Sequence, residues 1–156
     1  MKSIPSTKQP LSESFTSLLS RWINFHAFNA KCCAAGTVNV GTNFLILAVE
    51  QSLEAVTPEP VRLRFYSPAV AAWLAYAAPA VLEECRTNAP SHWRESSCKD
   101  RLWEGKDGFS VGRWEFWKSQ LEVLRQKEGV DEDTALLMMQ AFVSMEKAER
   151  AKKGKK

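Results

Sequence analysis

Chemistry in this 156-residue chain would have to come from a small set of groups. There are two histidines, His26 and His92, and four cysteines, Cys32, Cys33, Cys85 and Cys98. His26 could act as a general base in a pocket, because imidazole titrates near neutral pH. It falls on the apolar face of a helical stretch, however, where a hydrogen-bonded core histidine is the commoner arrangement. Cys85, His92 and Cys98 could gather around a metal, but they stand seven and six residues apart, with no C-x-x-C pair of the kind zinc sites ordinarily use. Neither a metal nor another cofactor is expected. A bridge between the adjacent Cys32 and Cys33 would be strained, so buried helical thiols are the better reading.

The carboxylates give no stronger signal. Glu83-Glu84 reads as a solvated helix face, and Asp131-Glu132-Asp133 as the start of a helix, where the dipole favours negative charge. The G-K-D-G run at 105–108 lacks the spacing of a phosphate-binding loop. No Ser-His-Asp order can be built. The inventory leans against an enzyme. What remains is aromatic: Trp73, Tyr76, Trp114 and Trp117, with His26, form the candidate ligand-binding set. At helical spacing, core packing is the commoner use of such residues.

The elements that would position these groups are helices. Ser12 or Ser14 could cap a first helix, with Phe15, Leu18, Leu19, Trp22, Ile23 and His26 on one face and Gly36 at its end. The segment 37–43 reads as a loop, and Thr42 as the cap of a second helix from about Asn43 to Ala55. Pro58 and Pro60 break it. Val61 to Tyr66 alternates apolar and basic residues and is expected to be an extended linker. Ser67-Pro68 then reads as the start of a third helix, a capping residue followed by proline. Val70, Trp73, Leu74, Ala77, Val81 and Cys85 line one face of it, and Pro79 should kink it. Residues 87–101 are polar and irregular.

The densest aromatic cluster follows. Gly105 and Gly108 suit a turn that needs positive φ, and Ser110 suits an N-cap. Val111, Trp114, Trp117, Leu121 and Leu124 then form an apolar stripe, with Arg113, Glu115, Lys118, Gln120 and Glu122 directed to solvent and Gly129 as the stop. A last helix begins at Asp131, with Ala135, Met138, Met139 and Phe142 as its apolar face and Leu136 and Val143 beside it. The expected architecture is all-α: one domain, an irregular bundle of about five helices over residues 12–146, between a flexible arm at 1–11 and a basic tail at 147–156.

Leu102-Trp103-Glu104-Gly105-Lys106, Gly108-Phe109-Ser110, Arg113-Trp114 and Phe116-Trp117-Lys118 together resemble the C-terminal signature of a fungal all-helical family labelled as a domain of unknown function. Trp22-Ile23-Asn24 with Phe28-Asn29-Ala30, and Ala71-Ala72-Trp73-Leu74 with Tyr76-Ala77, are similar to its first and central helices. The resemblance spans roughly residues 15–146, with Pro79 as a departure. It implies an all-helical fold and no catalytic motif. Some members lie beside natural-product gene clusters, which implies a role in secondary-metabolite biosynthesis, binding or helping to convert a hydrophobic intermediate.

Charge narrows the partners. The net charge is +3, yet residues 141–156 hold six Lys or Arg and two Glu, a local +4, which leaves −1 for the rest. The basic balance belongs to the tail, which has no interleaved aromatics, so nucleic acid is disfavoured. No long apolar run suggests a membrane span, and no secretory signal is legible. An intracellular, cytoplasmic setting is expected. The remaining partners are another protein, a hydrophobic small molecule or a second copy of the chain. The first reading is a non-catalytic interaction or scaffold protein, and the second an accessory protein of a fungal natural-product pathway.

Overall fold

A computed structural model describes residues 8–36, 42–56, 59–91 and 101–153. Of the arm expected at 1–11, the loop at 37–43 and the tail at 147–156, residues 1–7, 37–41 and 154–156 lie outside the described residues, as do His92 and Cys98, while residues 8–11, 42–43 and 147–153 are helical and extend the bundle beyond the expected bounds. Five helices run in the order α1 (Lys8–Ala34), α2 (Thr42–Gln51), α3 (Pro60–Arg86), α4 (Val111–Arg125) and α5 (Glu132–Lys153). The described residues contain no strand, only one isolated antiparallel bridge between Ala55 and Arg101. The fold is all-α, as the apolar periodicities predict.

The bundle is built around α3, which touches each of the other four helices. Ser67 through Leu74 are buried without interruption, so this helix is enclosed on all sides for two turns. Four of those eight residues are Ala69, Val70, Ala71 and Ala72, whose small side chains let neighbouring helices approach closely. The helix contains a window of mean hydropathy 1.3, long and apolar enough to cross a membrane, and 67% of that window is buried within the protein. Core packing accounts for its apolarity.

Two expectations change here. Val61 to Tyr66 is the first part of α3 and not an extended linker. Glu59 has the extended backbone of an N-cap, Pro60 supplies a φ already suited to the first turn, and Leu63 N–H bonds Glu59 O at 3.0 Å. The alternation of six residues was ambiguous: Leu63 faces inward, while Arg62 and Arg64 take the exposed side. Consequently Ser67-Pro68 is not a start. Pro68 sits within the continuing helix, and the indole N–H of Trp22 on α1 donates to the nearby Phe65 carbonyl at 2.7 Å. Pro79 does distort α3. Ala77, two residues earlier, has φ −125° and ψ 20°, outside the helical region.

Of the expected caps, Ser110 and Asp131 hold, whereas α1 begins at Lys8, so Ser12 and Ser14 lie inside it and cap nothing. Arg113 N–H bonds Ser110 Oγ at 3.1 Å, and Thr134 N–H bonds Asp131 Oδ2 at 3.1 Å. Of the two turn glycines only Gly108 has positive φ, +82°, while Gly105 lies under the ring of Trp103. The buried face of α5 also differs from expectation. Thr134, Met138, Ala141, Met145 and Ala148 face the core, whereas Leu136, Met139 and Val143 are about half exposed. Two stripes of apolar residues overlap on this helix, and the one with small alanines is the one that packs on α3.

Candidate functional site

The five candidate residues occupy four different environments. His26 and Trp73 meet in the core, where the Trp73 indole N–H donates to His26 Nδ1 at 3.0 Å. By valence the imidazole proton then belongs on Nε2, which is buried and makes no hydrogen bond. Trp22 lies edge-on at 4.2 Å between ring centroids, with Phe25 and Phe44 also edge-on. Desolvation lowers the His26 pKa to about 4, so the ring is neutral at physiological pH. No described cleft reaches this pair.

Trp117 belongs to a buried charged constellation with Glu54 and Arg113. Glu54 lies in the turn after α2, and Arg113 one turn before Trp117 on α4. Arg113 Nε and Nη2 donate to Glu54 Oε1 and Oε2 at 2.7 and 2.9 Å, a two-pronged pair with neither side chain exposed. Trp117 N–H donates to Glu54 Oε1 at 2.9 Å, and Arg113 Nη1 to Gly108 O at 2.9 Å. Arg113 was expected in solvent. Its position four residues before Trp117 and eight before Leu121 puts it on the inward stripe, and that was the available signal. Glu54 had no such signal, since its partner is 59 residues away in sequence.

This constellation fastens the 101–110 loop to the bundle. Leu102 N–H bonds Glu54 O at 2.8 Å, and Phe109 N–H bonds Ala89 O at 2.9 Å. A Cβ on Gly108 would come within 3.0 Å of Ala89 O, so glycine is required there on both φ and space. Arg101 adds a pair to Asp107 at 2.8 Å and another to Glu50 at 3.6 Å. The stretch that carries the family resemblance thus reads physically as a clamp joining the ends of α2 and α3 to α4.

Trp114 and Tyr76 reach the surface features. Trp114 forms part of a cleft of about 490 Å³ between α3, α4 and α5, shared with Leu82, Val111 and Phe142. Its indole N–H donates to Glu149 at 2.9 Å, and Glu149 also receives Lys118 at 3.2 Å. Tyr76 is 40% exposed, with the Lys31 ammonium 4.7 Å from its ring centroid. It borders a groove of about 440 Å³ beside Leu136, Met139 and Val143. Cys33 and Cys85 are buried as expected, and burial pushes Cys85 up to about 12, which leaves these two unsuited to chemistry, whereas Cys32 is only half-buried.

An all-helical bundle with the Glu54–Arg113 pair and the His26–Trp73 contact enclosed in its core defines the class of this molecule. The chain belongs to the family described as "Protein of unknown function (DUF3632)", whose model matches residues 4–121. The match runs from before α1 into α4. No curated protein and no solved structure is a significant match to the chain.

Proposed function

We propose that this protein works by binding and not by catalysis, as an interaction protein whose docking surface is the outward face of α5 with Tyr76 of α3. The observation that carries this reading is the exposure of Leu136, Met139 and Val143, at 56%, 46% and 48%, on one side of a helix whose other side is fully packed. Three large apolar side chains held open at helical spacing are the pattern of a helix that receives a partner. The polar groups that could suggest an active site support the same reading, because His26, Glu54 and Arg113 are enclosed with their partners and out of reach of a substrate.

A photo-crosslinking residue at position 139, compared with one at the exposed Ser20 on α1, tests this in cells. The expected result is a protein adduct from position 139 and none from position 20. No adduct at 139, or equal adducts at both, would sink the reading.

A second reading rests on the cleft beside Trp114. Its volume suits a small molecule, and Leu82, Val111 and Phe142 would cover an apolar body. There the protein would hold a hydrophobic intermediate of a fungal natural-product pathway. Native mass spectrometry of protein made in a fungal host should then show a mass excess that Val111→Trp removes by filling the mouth of the cleft. Bare protein in both cases would end this reading.

A further inference from the structure

The outward stripe of α5 carries more than apolar residues, and its order along the helix specifies a partner. Glu132, Leu136, Met139, Gln140, Val143 and Lys147 follow one another at steps of three and four, with Met139 and Gln140 adjacent at the centre. They share one side of the helix. The stripe is acidic at its N-terminal end, apolar in the middle and basic at its C-terminal end. It is also symmetric about the point between Met139 and Gln140. Leu136 and Val143 are equally far from that point, and so are Glu132 and Lys147.

We infer that the occupant of this face is a second copy of the chain, with two α5 helices packed antiparallel about a twofold axis between Met139 and Gln140. This rests on the reading of α5 as a docking surface and names its partner. In this register Leu136 meets the partner's Val143, and Met139 meets the partner's Gln140. Glu132 reaches the partner's Lys147 at both ends of the seam. A twofold contact uses the same patch twice, so each pair occurs twice. The three-and-four spacing is that of a helix-to-helix seam.

Charge fixes the direction. A parallel pairing would set Lys147 against the partner's Lys147 and Glu132 against the partner's Glu132. The antiparallel pairing replaces both repulsions with attractions and opposes the two helix dipoles. Within the chain neither residue is committed elsewhere: among the described residues Glu132 and Lys147 make no ion pair, whereas Arg150, one turn beyond, already lies 3.8 Å from Glu146. Tyr76 widens the apolar floor along the Met139 and Val143 side. The seam is only about 22 Å long between Glu132 and Lys147, at 1.5 Å per residue. A contact of that length is small beside the interfaces of obligate dimers, so the pairing is expected to exchange with monomer.

Sedimentation of the full chain over a concentration series tests the pairing. The expected result is a monomer–dimer equilibrium that Glu132→Lys or Lys147→Glu each weakens about tenfold or more. The double variant Glu132→Lys with Lys147→Glu should return to within about threefold of the original, since it restores opposite charges across the axis. All three variants change exposed groups, and circular dichroism checks that they fold. A monomer at about 0.5 mM, or a dimer indifferent to both charge reversals, overturns the inference. The crosslinker at position 139 separates the two levels: an adduct at twice the chain mass supports the self-pairing, whereas an adduct with a different protein only refutes the self-pairing and leaves α5 as the docking surface.

Discussion

Two tryptophan indoles donate hydrogen bonds deep in this core, and their acceptors differ in kind. Trp73 gives its N–H to the neutral ring of His26, which joins α1 to α3. Trp117 gives its N–H to the Glu54 carboxylate, which is already gripped by Arg113 and joins the end of α2 to α4. The first contact is made of weak dipoles among aromatic rings, and one of its polar atoms, Nε2, is left without a partner. The second is made of full charges with three donors converging on one carboxylate. A neutral buried pair tolerates an incomplete set of hydrogen bonds, whereas a buried charge does not. The difference is one of consequence when either contact is disturbed.

The largest effect should come from breaking the charged contact on one side. Glu54→Ala strands the Arg113 guanidinium in the core and is expected to cost about 3–5 kcal/mol, a fall in Tm of roughly 10 °C by calorimetry. A loss under 1 kcal/mol would mean that Arg113 escapes to water and that the clamp is looser than its geometry.

The neutral contact should show itself through pH. Folded His26 titrates near 4, below its ordinary 6.5. As pH falls below about 6.5 the unfolded chain takes up a proton that the folded chain refuses, so stability declines and the loss is complete once pH passes below about 4. Denaturant unfolding should lose roughly 2 kcal/mol between about pH 7 and about pH 5. His26→Asn, which keeps an acceptor for Trp73, should flatten that slope. An unchanged slope would place the titrating group elsewhere.

The smallest effect sharpens the contrast. Replacing both charges, with Glu54→Leu and Arg113→Met, should cost no more than about 1–2 kcal/mol, because a matched apolar pair needs no desolvation of ions. If the double variant is as unstable as Glu54→Ala, then the hydrogen bonds from Trp117 and to Gly108 dominate, and not the ion pair.

What could be read from the sequence follows the same division. Local signals carried the helices, the Ser110 and Asp131 caps, the position of Gly108 and the distortion at Pro79, since each depends on neighbours within a turn. The run Val61 to Tyr66 was ambiguous because six alternating residues fit a strand and a half-buried helix equally well. Arg113 was misplaced because residue type suggested water, while its spacing from Trp117 suggested the core. On α5, two apolar stripes shared one helix, and the small residues Ala141 and Ala148 that decide which one packs against α3 are weak markers of burial by type. The candidate set His26, Trp73, Tyr76, Trp114 and Trp117 was legible as a set of aromatics. Its dispersal into two core contacts, a cleft and a groove was not, because each residue's surroundings come from a different distant segment.

The central place of α3 has a consequence for how the chain is made. On a ribosome, α1 and α2 emerge before α3, yet they touch each other sparingly and find most of their partners on it. Until Pro60–Arg86 has cleared the exit, α1 and α2 have little to fold against. The core side chains Ala30, Leu45, Ile46 and Val49 reach their buried positions only once α3 is in place. Folding of α1 and α2 is therefore tied to the arrival of α3, and the three helices consolidate together.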